Sequence, residues 1–338
     1  MKSKLSLSLC LVLFSVAGLL QAEMPRNPGP PDKPVDHTIA SVPRAIPRFA
    51  EAWAYLLGGD EPLLTTALHV TDLAYFGASL NSYGELTGVP KPVSIKGFAG
   101  RRHLVLAIQD NFALTHMAIF PDFPVRAKLI DDLVQASQDF DGVQLDWESI
   151  TGRDKQFFWS FLAELKSRLK GKILSVAIPA RTSAIEDAFD YKALNAVADR
   201  IIVMAYDEHW SGSSPGSVAS LAWCQKVAQF AQGSIDPDKL VMGVPFYGRA
   251  WADRSLSRAY KYSGVAKLMS DKSVTQPTRL DGIPSFEYDE LVRVRVFYED
   301  KDSQWARLNQ YASLGVRKMA FWRLGQEDPE IWSAFQTD

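Results

Sequence analysis

The 338-residue sequence has few groups that could cross-link the chain. It contains two cysteines, Cys10 and Cys224, and Cys10 falls within an apolar amino-terminal stretch. A chain cleaved after that stretch keeps one cysteine, which excludes an intramolecular disulfide and the class of small disulfide-stapled secreted domains. Stability must therefore come from a hydrophobic core, for which a chain of this length has enough residues.

Clusters of one charge sign are also missing. Lysine plus arginine number 37 and aspartate plus glutamate 39, which gives a net charge of −2 and argues against nucleic-acid binding. The five histidines show no spacing typical of metal ligands, and no Gly-x-Gly-x-x-Gly turn follows an apolar run. We therefore expect no metal, no cofactor and no nucleic-acid partner.

The one long apolar run lies at the amino terminus. Lys2 and Lys4 precede apolar residues 5–20, and the run closes with Gln21-Ala22. This pattern predicts a signal peptide over residues 1–22 that is cleaved after Ala22. An uncleaved membrane anchor is the alternative, although the run is short for a membrane span. We expect an exported monomer, periplasmic or extracellular, with no membrane span after cleavage.

Prolines are concentrated in residues 23–47, which we interpret as a Pro-rich amino-terminal arm. Over residues 48–338, short apolar runs alternate with amphipathic stretches. The predicted strands are residues 52–56, 72–77, 104–108, 141–148, 173–178, 201–206, 240–246 and 316–322. The clearest predicted helices are residues 125–138, 155–169, 191–198, 218–232 and 302–314.

Near-continuous apolar strands separated by helices are typical of a parallel sheet covered on both faces. Eight such units predict an α/β fold of the (β/α)8 TIM-barrel type, with a doubly wound sheet as the alternative. The segment from about residue 250 to 300 is too long for a simple connection. We expect it to form a small inserted α+β subdomain between the seventh strand and its following helix, walling one side of a cleft.

Residues 141–148 place polar groups on one side of a predicted strand. Gln144, Asp146 and Glu148 share one face because side chains alternate along a strand, and the apolar residues between them face the other way. Burying carboxylates costs several kcal/mol unless they are paired or protonated, which favours a functional site over a half-exposed edge strand. Two carboxylates this close repel each other when both are ionised, which raises the pKa of the one that acts as an acid.

Other strand ends carry candidate functional residues, because functional groups of such barrels lie at the carboxyl ends of the strands. Tyr206 and Asp207 end the sixth strand, and Trp322 ends the eighth. Ile202, Met204 and Tyr206 share a parity that places Tyr206 inward beside the carboxylates. The same alternation places Asp207 outward.

These segments together resemble glycoside hydrolase family 18, the chitinase-type barrel enzymes. The family signature Asp-Gly-x-Asp-x-Asp-x-Glu matches residues 141–148 at every fixed position except Gln144, where the family most often has aspartate. Segments 204–207, 243–249 and 321–322 agree with the family in order and spacing, so the resemblance covers about residues 48–335. An amide at position 144 is also found in the branch that resembles spore-cortex-lytic N-acetylglucosaminidases, which act on peptidoglycan. In this position the sequence resembles that branch.

The resemblance implies a retaining, substrate-assisted glycosidase. Glu148 would protonate the glycosidic oxygen and then activate water, while the 2-acetamido group of the substrate attacks the anomeric carbon. Asp146 would orient the acetamide, and Tyr206 would hydrogen-bond its carbonyl oxygen. The candidate substrate-binding residues are Trp322 as the floor under the sugar, together with Asp207, Gln144, Tyr55, Phe76 and Arg249.

The expected substrate is a polysaccharide or oligosaccharide with β-1,4 linkages next to N-acetylglucosamine. Peptidoglycan, chitin and other such glycans fit equally, as do endo and exo cleavage. The alternative is a catalytically silent chitinase-like protein that binds carbohydrate. Relatives that have become lectins typically lose the acid, so the presence of Glu148 with Asp146 and Tyr206 favours activity.

Overall fold

The computed structural model describes residues 46–65, 68–95, 97–252, 256–289 and 292–338. Eight parallel strands form a barrel, which is closed because the first barrel strand pairs with both the second and the eighth. The predicted (β/α)8 barrel is confirmed, and each predicted strand is present with ends shifted by a few residues. The barrel strands are β1 (Glu51–Leu57), β2 (Asp72–Leu80), β3 (Arg101–Ile108), β4 (Gly142–Trp147), β5 (Ile173–Pro179), β6 (Arg200–Met204), β7 (Leu240–Pro245) and β8 (Lys318–Trp322).

Five helices of the structure correspond to the five clearest predicted ones. The sequence pattern misses the first helix, residues 112–119, since apolar residues occupy all sides of this short helix and leave no apolar stripe to detect. Asn111 begins it by accepting a hydrogen bond from the Leu114 backbone N–H at 3.0 Å. The helices are α1 (Phe112–Ile119), α2 (Pro124–Ala136), α3 (Lys155–Arg168), α4 (Tyr191–Asn195), α5 (Leu221–Gln232), α6 (Tyr262–Asp271) and α7 (Lys301–Ser313).

Strand side chains divide into two buried layers. Outward residues pack under the helices, as Trp147 does against Phe158 and Phe161 of α3, with ring centroids 6.1 and 5.3 Å away. Inward residues such as Val105 and Ile202 fill the barrel interior. The alternation predicted for β4 is therefore confirmed, and it directs Gln144 and Asp146 into the interior.

A network of buried charges closes the amino end of the barrel. Asp72 is fully buried and accepts hydrogen bonds from Arg101 Nε at 2.7 Å and from the His103 ring, whose Nε2 lies 2.8 Å away. Glu51 accepts from Trp53 Nε1 at 2.9 Å and from Arg200 Nε at 3.0 Å. Burial alone would raise the pKa of Asp72, but these partners bring it below its ordinary value. The charged groups at the amino end of the barrel are thus paired with one another. Candidate functional groups are therefore expected at the carboxyl end.

A five-stranded antiparallel sheet and α6 lie between β7 and α7, which confirms the predicted insertion. Its strands are Tyr247–Ala252, Leu256–Lys261, Thr278–Leu280, Ile283–Asp289 and Arg293–Phe297. The inserted sheet has a small core of its own that includes Val265 and Val296. A fully buried ion pair, Glu299 with Arg307 at 2.8 Å, joins the exit of this subdomain to α7.

Within the described ranges, no helix has the length and apolar character needed to cross a bilayer. The predicted signal peptide at residues 1–22 and all but the last two residues of the Pro-rich arm at 23–47 lie outside the described residues. Both remain predictions.

Candidate active site

The first residues of the β4 motif fix the strand in place. Gly142 lies so close to its neighbours that a Cβ there would be 2.5 Å from His103 Nδ1 and 2.6 Å from the Ile173 carbonyl oxygen, so no larger residue fits. Asp141 accepts a hydrogen bond from the Arg102 backbone N–H at 2.8 Å. The remaining polar residues of the motif are thereby held in a set register at the carboxyl end of the barrel.

Asp146 is an almost buried carboxyl group in the barrel interior, with 4% of its surface exposed. Its Oδ1 atom has no hydrogen-bond partner among the described residues. Burial, together with the negative charge of Glu148, raises the pKa of Asp146 to about 7. The group is therefore poised between its neutral and ionised forms at neutral pH.

Glu148 lies just past the end of β4, where its side chain is exposed in the cleft mouth. Its backbone N–H donates to the Ile108 carbonyl at 3.1 Å, which continues the β3–β4 pairing. Gln109 Nε2 donates a hydrogen bond to Glu148 Oε1 at 3.0 Å. Desolvation by the surrounding cleft raises the pKa of Glu148, the hydrogen bond from Gln109 opposes that rise, and the charges of Asp207 and Asp110 add to it.

Tyr206 reaches the site because β7 carries a glycine beside it. A Cβ on Gly243 would be 3.0 Å from Tyr206 Cε1 and 2.6 Å from the Val203 carbonyl oxygen. The strand β6 ends at Met204, and Asp207 adopts a left-handed backbone with φ of 59°. The alternation that places Asp207 outward does not extend past the strand end, and its carboxylate lies near enough to influence the pKa of Glu148.

The first strand of the inserted subdomain supplies partners for Asp207. The Tyr247 hydroxyl donates to Asp207 Oδ1 at 2.5 Å, and Arg249 Nη2 lies 3.7 Å from the same oxygen. Burial raises the pKa of Asp207, while Tyr247 and Arg249 lower it. Arg249 Nε is buried with no partner among the described residues. The insertion thus forms one polar wall of the cleft, as the sequence predicts.

Aromatic rings form the floor of the cleft. Tyr55 and Phe76 contact Trp322 edge-on, with ring centroids 5.1 and 5.5 Å from its ring. Gln144 donates a hydrogen bond from Nε2 to the Tyr55 hydroxyl, and its Oε1 has no partner within the described part of the chain. The peptide bond from Trp322 to Arg323 is cis. The structure thus brings together all nine predicted site residues.

Two residues that the sequence reasoning misses also belong here. Gln109 directly follows β3, so the strand-end rule that selects Glu148 would have selected it too. Tyr247 lies within the family-like segment 243–249, but its ring alone did not distinguish a site residue from a core residue. The described residues hold no group of histidine, cysteine, aspartate or glutamate that could bind a metal ion.

The sequence is similar to one known protein family and to several known proteins. The profile described as Glycosyl hydrolases family 18 matches residues 122–327. The chain is 27% identical over 323 residues to the cortical fragment-lytic enzyme of Bacillus cereus, covering 86% of this chain and 75% of that protein. It is 25% identical over 232 residues to Chitotriosidase-1 of Mus musculus, covering 58% and 49% of the two chains.

Two solved structures share the fold. The spore cortex-lytic enzyme SleL of Bacillus cereus superimposes with a TM-score of 0.77 at 24% identity, covering 88% of this chain and 77% of that one. A chitinase from Chromobacterium violaceum ATCC 12472 gives a TM-score of 0.76 at 24% identity, with 84% and 97% covered.

The raised pKa of Asp146 predicts a pH-dependent effect of Asp146→Asn on stability. The folded-state pKa of about 7 exceeds the unfolded value, so Asp146 costs little stability at pH 4, the cost grows as pH rises toward 7, and it levels off above the folded pKa. Asparagine cannot ionise. The free energy of unfolding of the variant relative to wild type should therefore be higher at pH 8 than at pH 4 by on the order of 2–4 kcal/mol.

Urea unfolding at both pH values measures this difference, with Asp122→Asn at an exposed position as the matched control. The difference between the two variants isolates the effect of burying the carboxyl. An Asp146→Asn effect that is equal at pH 4 and pH 8 would contradict the assigned desolvation of this carboxyl.

Proposed function

This chain belongs to family 18 of the glycosyl hydrolases and is a glycosidase, and we propose that it is exported as a monomer and cleaves β-1,4 linkages next to N-acetylglucosamine in peptidoglycan or chitin-type polymers. One observation carries the proposal: an almost buried Asp146 lies two residues before Glu148 at the carboxyl end of β4, facing an aromatic floor. The names of its relatives, a cortical fragment-lytic enzyme and a chitotriosidase, support both substrates.

Glu148 is the proposed acid and base. Its raised pKa keeps a proton available nearer neutral pH than an ordinary glutamate would. Because Gln109 donates to Oε1, a proton on Glu148 is favoured on Oε2. When that proton passes to the glycosidic oxygen, the hydrogen bond from Gln109 stabilises the carboxylate that remains. This carboxylate then takes a proton from the attacking water.

Asp146 and Tyr206 are the proposed partners of the substrate acetamide. The unpartnered, buried Oδ1 of Asp146 calls for a donor, and an acetamide N–H supplies one. Burial raises the pKa of Tyr206 well above its ordinary value, so its hydroxyl stays protonated and can donate to the acetamide carbonyl. Held between them, the carbonyl oxygen can attack the anomeric carbon, and no protein carboxylate needs to bond to the sugar.

The site is proposed to be active when Asp146 and Glu148 together hold one proton. Glu148 must be protonated to act as acid, while Asp146 must be ionised to stabilise the positive charge that develops on the acetamide. The two groups titrate as a coupled pair, so the acid limb of activity reports the first proton loss from the pair and the alkaline limb reports the second.

Trp322 is the proposed platform for the sugar beside the cleaved bond. Aromatic rings bind the apolar faces of sugars, and the edge contacts of Tyr55 and Phe76 hold this indole in one orientation. Asp207 and Arg249 on the opposite wall can bind sugar hydroxyls, since both carry charged hydrogen-bonding groups at the cleft.

Reducing-end release from purified cell-wall sacculi and from chitin oligomers, run side by side, tests the function. Glu148→Gln should lose turnover by several orders of magnitude while still binding the oligomer, because the glutamine cannot donate the proton. The matched control is Glu164→Gln on the outer helix α3, which should retain wild-type turnover. Comparable activity in Glu148→Gln would refute the acid assignment, and no cleavage of either polymer by wild type would overturn the function.

Two neighbouring substitutions should move the alkaline limb of kcat/KM in opposite directions. Gln109→Leu removes the donor to Glu148, so the pKa of Glu148 rises and the alkaline limb moves to higher pH. Asp110→Asn removes a like charge, so the limb moves down; asparagine tolerates the left-handed backbone found there, with φ of 52°. The pH dependence of chitin-oligomer cleavage measures both. Shifts in one direction, or none, would refute the positioning role of Gln109.

A further inference from the structure

An apolar pocket of about 570 Å³ is lined by residues outside the proposed active site. Its walls come from α1, from the start of α2 and from Arg153. These segments follow β3 and β4 and precede the return of the chain to the next strand, so they lie at the carboxyl end of the barrel. The pocket is therefore on the same face of the protein as Asp146 and Glu148.

One short loop connects this pocket to the proposed acid. In the segment after β3, Gln109 donates to Glu148, and the Asn111 backbone N–H donates to Ser149 Oγ at 3.2 Å. Asn111 then caps α1, whose first residue, Phe112, lines the pocket. Residues 109–112 therefore join the partner of the proposed acid to the wall of the pocket.

The rim of the pocket exposes large aromatic side chains. Phe112 is 55% exposed and Phe123 is 40% exposed. The turn that carries Tyr83, 77% exposed, lies against the same wall, since a Cβ on Gly84 would be 2.4 Å from Val125 Cγ1. Adjacent exposed apolar groups of this kind mark binding surfaces.

A buried carboxylate holds two cationic or potentially cationic groups at the pocket. Asp154 Oδ1 lies 3.0 Å from His116 Nδ1 and 3.6 Å from Arg153 Nε, and Oδ2 accepts from the Thr151 hydroxyl at 2.8 Å. Arg153 is 74% exposed, and within the described part of the chain its ion pair with Asp154 is made through Nε. Its two terminal amino groups can therefore bind a carboxylate in the bidentate manner.

We propose that this pocket binds the peptide substituent of a peptidoglycan strand. Small alkyl side chains of the peptide pack against Phe112 and Phe123, and a peptide carboxylate pairs with Arg153. A sugar ring fits less well, because its hydroxyls would be desolvated against apolar walls without partners. This inference rests on the proposed function and selects one of its substrates, since chitin has neither a peptide nor a carboxylate.

The test compares kcat/KM on glycan strands that carry their peptides with kcat/KM on the same strands stripped by an amidase. Wild type should prefer the intact strands, and Arg153→Ala should lose that preference through a KM increase of roughly 10- to 100-fold. Arg153→Lys should keep part of it, and Phe112→Ala should lower it. Arg168→Ala, an exposed arginine on α3 paired with Asp131, is the matched control and should change nothing.

Cleavage of chitin oligomers distinguishes failure of the peptide site from failure of the proposed glycosidase function. Activity of Arg153→Ala on chitin oligomers and on stripped strands should equal that of wild type. Equal cleavage of intact and stripped strands by wild type, or an unchanged preference in Arg153→Ala, would overturn the peptide site while leaving the glycosidase intact. Absence of cleavage on all three substrates by wild type would instead overturn the proposed function.

Discussion

The electrostatic coupling of Asp146 to Glu148 is the interaction on which the site depends. Asp146 is almost fully buried in the barrel and Glu148 lies at its mouth, so Asp146 resists ionisation and the negative charge of Glu148 adds to that resistance. Gln144, the next inward residue on the strand, cannot ionise, so β4 contributes two titrating groups rather than three. We propose that a single proton shared by this pair at neutral pH supplies both an acid and a carboxylate that stabilises positive charge.

The rest of the fold keeps that pair in place. Gly142 allows β4 to approach His103 closely. The buried charges around Asp72 lie at the amino end of the barrel, so the rest of the interior holds apolar side chains and Asp146. Gly243 leaves space for Tyr206. The inserted subdomain adds Tyr247 and Arg249, which form a polar wall of the cleft. The aromatic floor comes from the barrel strands themselves.

Sequence periodicity predicts the barrel and the inward face of β4 because both follow from the alternation of side chains along strands. It fails for Asp207, which lies past the strand end in a left-handed conformation that alternation does not describe. It also misses α1, which has no polar stripe. Sequence periodicity does not predict the pocket at Phe112 and Arg153, because the residues that form it come from separate connections between strands and share no local pattern.

The most direct test of the shared proton is a ¹³C NMR titration of the free protein labelled at its side-chain carboxyls, with Asp146 and Glu148 assigned by difference spectra. The account predicts that the pair titrates in two coupled steps, that the later step falls near pH 7, and that one proton is still bound at pH 6. Two independent titrations that are both complete below pH 5 would contradict it.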